Sequence, residues 1–333
     1  LDRDNCLSLP FGMTSDSAST SFRFTGHETF PCRYTWLPKA VRHVSADAGL
    51  LNREDEAMVK LGVGKNMVKS IRFWAEAARV ITPRAKGAGH EVTALGRDLL
   101  LGSAEHPALD PFLEDVQTLW LIHWNLSTGT DEPLFGWDYL LNRWQSPHLS
   151  TSTVVKAFAA ETSRRERPPS EQTLEQMFEV FVHTYLPTRG RKGEVREDNL
   201  DCPLVELQLL VPEGVRQSER SPGRHEPLFK FRREAKPEIS SGLFAYCLDD
   251  FWRQHHANEV TLPLQTVVSG HGSPGQIFKL PEDDIRSRIE ALGEDTDGYF
   301  TFKDSSAIPG ISRTRPNSQR YPISQVYESS QVA

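Results

Sequence analysis

Between Met67 and Ala78 the apolar side chains Met67, Val68, Ile71, Trp74, Ala75 and Ala78 recur at three- and four-residue spacing, which lays one apolar stripe along a helix. The helix so predicted runs for about three and a half turns. Gly62-Val63-Gly64 separates it from a shorter helical stretch, Glu54 to Val59, for which Asn52 is the expected cap and the acids sit near the positive end of the dipole. Beyond it, Val80-Ile81-Thr82 is β-branched, Arg84 to His90 is a basic turn containing glycine, and Glu91-Val92-Thr93 is a second short strand. Helix, glycine turn, helix and hairpin is the order of a winged helix-turn-helix.

Charge sharpens that reading. From Lys60 to His90 seven basic side chains (Lys60, Lys65, Lys69, Arg72, Arg79, Arg84, Lys86) face one acid, Glu76, a balance of +6 in a chain whose formal net charge is -7. An acidic chain cannot hold nucleic acid by its overall field, so any such contact must be a local patch. Base edges in the major groove are read by Lys, Arg and Asn at the front of the second helix, while wing residues hold phosphates. Lys65, Asn66, Lys69, Ser70 and Arg72 fit the first role, and Arg84, Lys86 and His90 the second, on double-stranded DNA. The competing reading is a solvated helix face on a protein-interaction module.

With 333 residues and 38% hydrophobic content the chain can bury a sizeable core. No apolar run approaches the roughly 20 residues that span a bilayer, so no membrane contact is expected. The first residues are acidic and polar instead of basic then apolar, and Cys6, Cys32, Cys202 and Cys247 form no C-x-x-C pair. A cytoplasmic protein with reduced thiols follows, lacking both a zinc knuckle and a disulfide framework.

The predicted fold class is mainly α with small β (α+β). Residues 1–21 are expected as a flexible arm, 22–102 as the winged helix-turn-helix domain, 103–162 as a helical connector, 163–310 as a helical C-terminal domain and 311–333 as a polar tail. Asp110 to Trp124 reads as a buried helix, Ser152 to Glu161 and Leu174 to Tyr185 as further helices, and Pro212 to Arg224 as a loop. Phe244 to Trp252 reads as helix, Ile277 to Leu280 as strand and Glu282 to Leu292 as helix, which makes a second winged-helix-like module conceivable.

Three sets of side chains suggest chemistry. His27 and Glu28, with Arg33 and Lys39 nearby, supply an imidazole, a carboxylate and cations able to polarise a phosphodiester. Neighbours on a strand face opposite ways, however, and the bland reading makes His27 a hydrogen-bonded turn residue and Arg33 a structural ion-pair member. Asp110, Glu114 and Asp115 stand where a helix starts, and Asp198, Asp201 and Glu206 flank Cys202-Pro203-Leu204. Metal-dependent nucleases gather carboxylates around Mg²⁺, which nominates Glu114, Asp115, Asp198 and Asp201 as ligands and Asp115 for catalysis. Capping and solvated loops explain the same acids. No G-x-x-x-x-G-K-[ST] loop occurs, so no nucleotide cofactor is expected, and Gly270-His271-Gly272-Ser273-Pro274-Gly275 reads as a turn.

Four motifs in order carry a resemblance: Gly26-His27-Glu28-Thr29-Phe30 with Trp36-Leu37-Pro38-Lys39; Leu61 to Trp74; Asp110-Pro111-Phe112-Leu113-Glu114-Asp115 with Thr118 to Trp124; and Asp201-Cys202-Pro203-Leu204. Over Phe22 to Gly310 the chain resembles a bacterial family associated with DNA phosphorothioation, the nickase components of Ssp-type systems. The resemblance implies an endonuclease that nicks one strand of selected DNA for sulfur insertion in antiviral defence. It also implies cysteine desulfurase and ATP-using sulfurtransferase partners. A non-catalytic DNA-binding adaptor and a winged-helix transcriptional regulator are the alternatives.

Overall fold

In a computed structural model, which describes residues 21–187, 202–220, 223–304, 308–315 and 318–328, helices dominate and the strands gather in small sheets, an α+β fold. The arm expected at 1–21, Ser21 apart, and the stretch from Arg189 to Glu197, whose polar composition predicts a loop, lie outside those residues. α1 (Trp36–Ala46) buries Trp36, Leu37, Ala40, Val41 and Val44, the inward side of an amphipathic helix. α2 (Glu54–Leu61) carries three acids in its first turn and stops at Gly62, whose φ of 67° suits glycine. Its N-cap is Arg53 and not Asn52; the guanidinium holds Glu56 (2.6 Å) and Asp47 beside the turn, so an ion pair replaces the expected side-chain cap.

α3 (Lys65–Ala77) buries Val68, Ile71, Phe73, Trp74 and Ala75. An antiparallel hairpin follows, β1 (Ile81–Pro83) with β2 (His90–Val92), in the register Ile81↔Val92 and Pro83↔His90. At its base Gly89 (φ +95°) lies so near the turn after α1 that an added Cβ would stand 2.1 Å from the Ala48 carbonyl oxygen, which also accepts from His90 N at 2.8 Å. α4 (Ala94–Gly96) runs into a π-helical turn, Arg97–Leu101.

α5 (Val116–Ser127) is buried from Gln117 to Ser127 on every side, its polar Thr118, Ser127, His123 and Asn125 satisfied by hydrogen bonds. α6 (Phe135–Asp138) continues as a π-helical turn, Tyr139–Arg143, and α7 (Thr151–Thr162) and α8 (Glu171–Tyr185) pack side by side. Trp74 of α3 meets Trp137 of α6 edge-on at 5.9 Å, and Trp137 meets Phe181 of α8 at 5.1 Å. Such pairs contribute about 0.5–1.5 kcal/mol beyond their buried area. One hydrophobic core therefore runs from the first helices through α5 and α6 to the rest.

The segment from Pro212 to Arg224 is not a loop throughout. β3 (Leu210–Gln217) pairs antiparallel with β4 (His225–Phe231), with a bulge between Pro212 and Gly214 where Gly214 takes φ +133°. Proline and glycine here mark a bulge inside a strand, not its end. α9 (Ser241–His255) precedes β5 (Thr261–Pro263), α10 (Leu264–Ser269), α11 (Pro274–Phe278) and α12 (Glu282–Asp295), and β6 (Phe300–Lys303) and β7 (Gly310–Arg313) close a sheet of order β5-β7-β6. Ile277 and Phe278 belong to α11 and Lys279 is left-handed (φ 54°), so no strand forms at Ile277 to Leu280.

The expected polar tail is structured over much of its length. Ser312 and Arg313 complete β7, Tyr321 and Val326 are buried, and α13 (Gln325–Glu328) packs on α9. Two scattered apolar groups suffice to dock a polar segment. No helix among the described residues is long and apolar enough to cross a membrane.

Candidate nucleic-acid interface

The cations of α3 and of the hairpin turn reach solvent. Lys65 and Asn66 open α3 and are exposed, Lys69 and Arg72 bury part of their stems, and Arg84 and Lys86 stand exposed on the hairpin turn. Lys65 pairs with Glu54 (2.7 Å) and Arg84 reaches Glu91 (3.7 Å), while Lys69, Arg72 and Lys86 form no ion pair among the described residues. Exposed pairs of this kind contribute about 0–1 kcal/mol, so a phosphate can displace their carboxylates.

Two residues of the expected surface are behind it. Ser70 is fully buried and its Oγ donates to the His27 carbonyl (2.9 Å), because its helical position turns toward the Gly26–Phe30 segment. His90 is 4% exposed, and its Nε2 faces Glu76 Oε1 at 3.0 Å beneath α3. Neither can touch a duplex as drawn from the sequence. Arg79, counted in the basic balance, also points elsewhere: it donates to the Thr128 carbonyl and pairs with Asp250 of α9 at 3.3 Å.

His27 is a buried turn residue. Its Nδ1 donates to the Glu28 carbonyl (2.8 Å), its ring stands edge-on to Phe73, and its Nε2 has no partner among the described residues. Burial holds the imidazole below its ordinary pKa, against the Glu28 carbonyl, which favours the proton. Glu28 has φ 52°, and its carbonyl also accepts from Gln176 of α8. Phe24, Gly26, His27, Glu28, Thr173 and Gln176 line a cavity of about 120 Å³ that neither Arg33 nor Asp115 reaches. Arg33 lies over the Trp36 ring at 5.5 Å.

The acids before α5 work on the backbone. Asp110 accepts from the amides of Glu114 and Asp115, both at 3.0 Å, and Asp115 caps α5 by accepting from Gln117 N at 2.8 Å. The helix starts at Val116, after a turn in which Leu113 has φ 61°. Glu114 is exposed, and Asp198 and Asp201 lie outside the described residues. Among the described residues no three His, Cys, Asp or Glu side chains stand together as a metal site, so Glu114 and Asp115 do not by themselves fit a divalent ion.

One constellation was not visible from the sequence. Asp138, 6% exposed at the end of α6, has Oδ1 2.8 Å from His271 Nε2 and Oδ2 2.8 Å from Arg143 Nη2. Burial would raise its pKa, yet the His271 and Arg143 contacts outweigh it and hold the carboxyl below its ordinary value. His271 sits between Gly270 and Gly272, and Gly272 N donates to Asn142 Oδ1 at 2.8 Å, pinning the turn to the π-helical segment. Glycine on both sides of a lone histidine was the available signal. The partners are more than a hundred residues apart in sequence.

Residues 24–327 match a family described as protein of unknown function (DUF4007). No curated protein matches the chain. Two solved structures share its fold. "Magnesium ion-bound SspB crystal structure" is 24% identical with a TM-score of 0.73, covering 87% of this chain and 82% of that one. "SspB crystal structure" is 22% identical with a TM-score of 0.74, covering 92% and 86%.

Proposed function

The chain belongs to the DUF4007 family, and on that footing we propose that it binds double-stranded DNA through α3 and the β1–β2 hairpin and nicks one strand for phosphorothioate modification in antiviral defence. One observation carries the binding half: in a chain of net charge -7, the cations on the open side of α3 and on the hairpin turn are exposed or half-exposed, and Lys69, Arg72 and Lys86 are unpaired among the described residues. In this reading α2, the Gly62–Gly64 turn and α3 are a helix-turn-helix and the hairpin is its wing, with Lys65, Asn66, Lys69 and Arg72 toward bases and Arg84 and Lys86 toward phosphates.

The later order α9, β5, α10, α11, α12, β6, β7 supports a second winged-helix reading, but Glu282, Asp283, Glu290 and Glu294 are exposed on its α12. An anionic helix repels a polyanion, which favours the first unit as the DNA-facing one in this reading. The shared fold with the SspB structures supports the phosphorothioation setting and, with it, cysteine desulfurase and ATP-using sulfurtransferase partners. One of those structures holds magnesium, and the proposal carries over a need for a divalent ion.

The test is incubation of the full chain with supercoiled plasmid and Mg²⁺. Open-circular product that EDTA abolishes is the expected result, and intact supercoil would sink the nicking half. The capping role of Asp115 favours a second reading, a non-catalytic adaptor. That reading gives salt-sensitive binding and no nick.

A further inference from the structure

A cleft of about 330 Å³ opens beside Asp138, walled by Phe22, Thr128, Asp138, Arg143, His255 and His271. His271 is 56% exposed while the carboxylate it holds is buried. An ordinary surface ion pair leaves both members in water and contributes little. Here the carboxylate is fixed on both oxygens, by His271 and Arg143, so it cannot turn away, and Arg143 is itself held by Glu161 (2.6 Å). The five-residue π-helical turn supplies this placement, and such turns recur at functional sites.

The opposite side of the cleft carries a second imidazole. His255, at the end of α9, has its ring centroid 6.5 Å from that of His271 and no hydrogen bond among the described residues. Burial, and then the neighbouring His271 and His256, hold it below its ordinary pKa, so it stays neutral near pH 7. Gly272 has φ +75°, a conformation that favours glycine, and a side chain there would also stand 3.1 Å from His255 Nε2. A buried anion, an imidazole whose outer nitrogen faces water and a second neutral imidazole across a small gap are the parts of a general acid–base site.

We propose that His271, oriented by Asp138, is the general base that activates water against a phosphodiester of the bound strand, an inference that rests on the strand-nicking reading above. With Nε2–H given to Asp138, His271 Nδ1 takes a proton from water as the water oxygen bonds to phosphorus. One phosphorus–oxygen ester bond breaks, and the imidazolium returns the proton to the departing oxygen. One water is consumed, giving a phosphate monoester and a hydroxyl. Asp138 stabilises the imidazolium, and His255 accepts a hydrogen bond from the same water. Arg79, which follows α3, reaches the Thr128 carbonyl at the wall of this cleft.

The experiment compares plasmid nicking by the parent chain, His271→Gln, His271→Ala and Asp138→Asn, with DNA affinity and thermal melting measured on each. Glutamine keeps an N–H for Asp138 but has no proton-accepting nitrogen. Its nicking is expected to fall by about a hundredfold or more at unchanged affinity. The alanine variant is expected to regain rate with added imidazole, which a merely misfolded protein would not. Parent-like nicking by both His271 variants overturns this assignment and leaves the nicking reading standing. A parent chain that opens no plasmid overturns both.

Discussion

His123 lies fully buried on α5, where an unpaired imidazole would be costly, and each of its nitrogens has one partner. Nδ1 accepts from the Tyr185 hydroxyl (2.7 Å), which itself accepts from Trp137 Nε1, and Nε2 donates to the Ile277 carbonyl (3.0 Å). Those contacts join α5, α8 and α11. Burial pushes its pKa from 6.5 down to about 4. As pH falls, the unfolded chain therefore takes up a proton near 6.5 while the folded chain does not until about 4. Stability contributed by the neutral ring is present above 6.5 and lost between 6.5 and 4, about 3 kcal/mol at most. Urea unfolding at pH 7.5 and 4.5 should show that slope in the parent and a flatter one in His123→Gln. Equal slopes would mean the ring is protonated inside the fold.

At the scale of elements, α3 is where reading and structure agree best, because its three- and four-residue periodicity and its glycine boundary are both local signals. Replacing Lys69 and Arg72 together by alanine is expected to leave the fold intact and to weaken binding to the preferred sequence by about 1–3 kcal/mol per lost base contact, with less discrimination between sequences. Unchanged affinity and discrimination in a filter-binding titration would remove α3 from the interface. What the sequence could not deliver was direction. Ser70 has the chemistry of a contact residue, but two residues, about 200° of rotation around the helix, separate it from Arg72, and the neighbour that decides its side, the His27 carbonyl, comes from 43 residues away. The β3–β4 hairpin was equally hidden, since a bulge at Pro212 and Gly214 has the composition of a loop. Asp138 and His271 meet only through tertiary packing, and no spacing rule records them.

Across the whole molecule, the helix offered to DNA and the cleft at His271 are linked by one side chain. Arg79 leaves α3 with φ 59°, reaches the Thr128 carbonyl at the cleft wall, and pairs with Asp250 on α9, the helix that ends in His255. Arg79→Ala is therefore expected to bind plasmid as the parent does and to nick it about tenfold more slowly at saturating protein, a coupling of about 1.4 kcal/mol. Losing affinity and rate together would mean that the side chain only props the fold. On the strand-nicking proposal the guanidinium is a strut between a sensing arm and a jaw: a tilt imposed on one would be felt by the other, and cutting would wait for a strand that has been properly gripped.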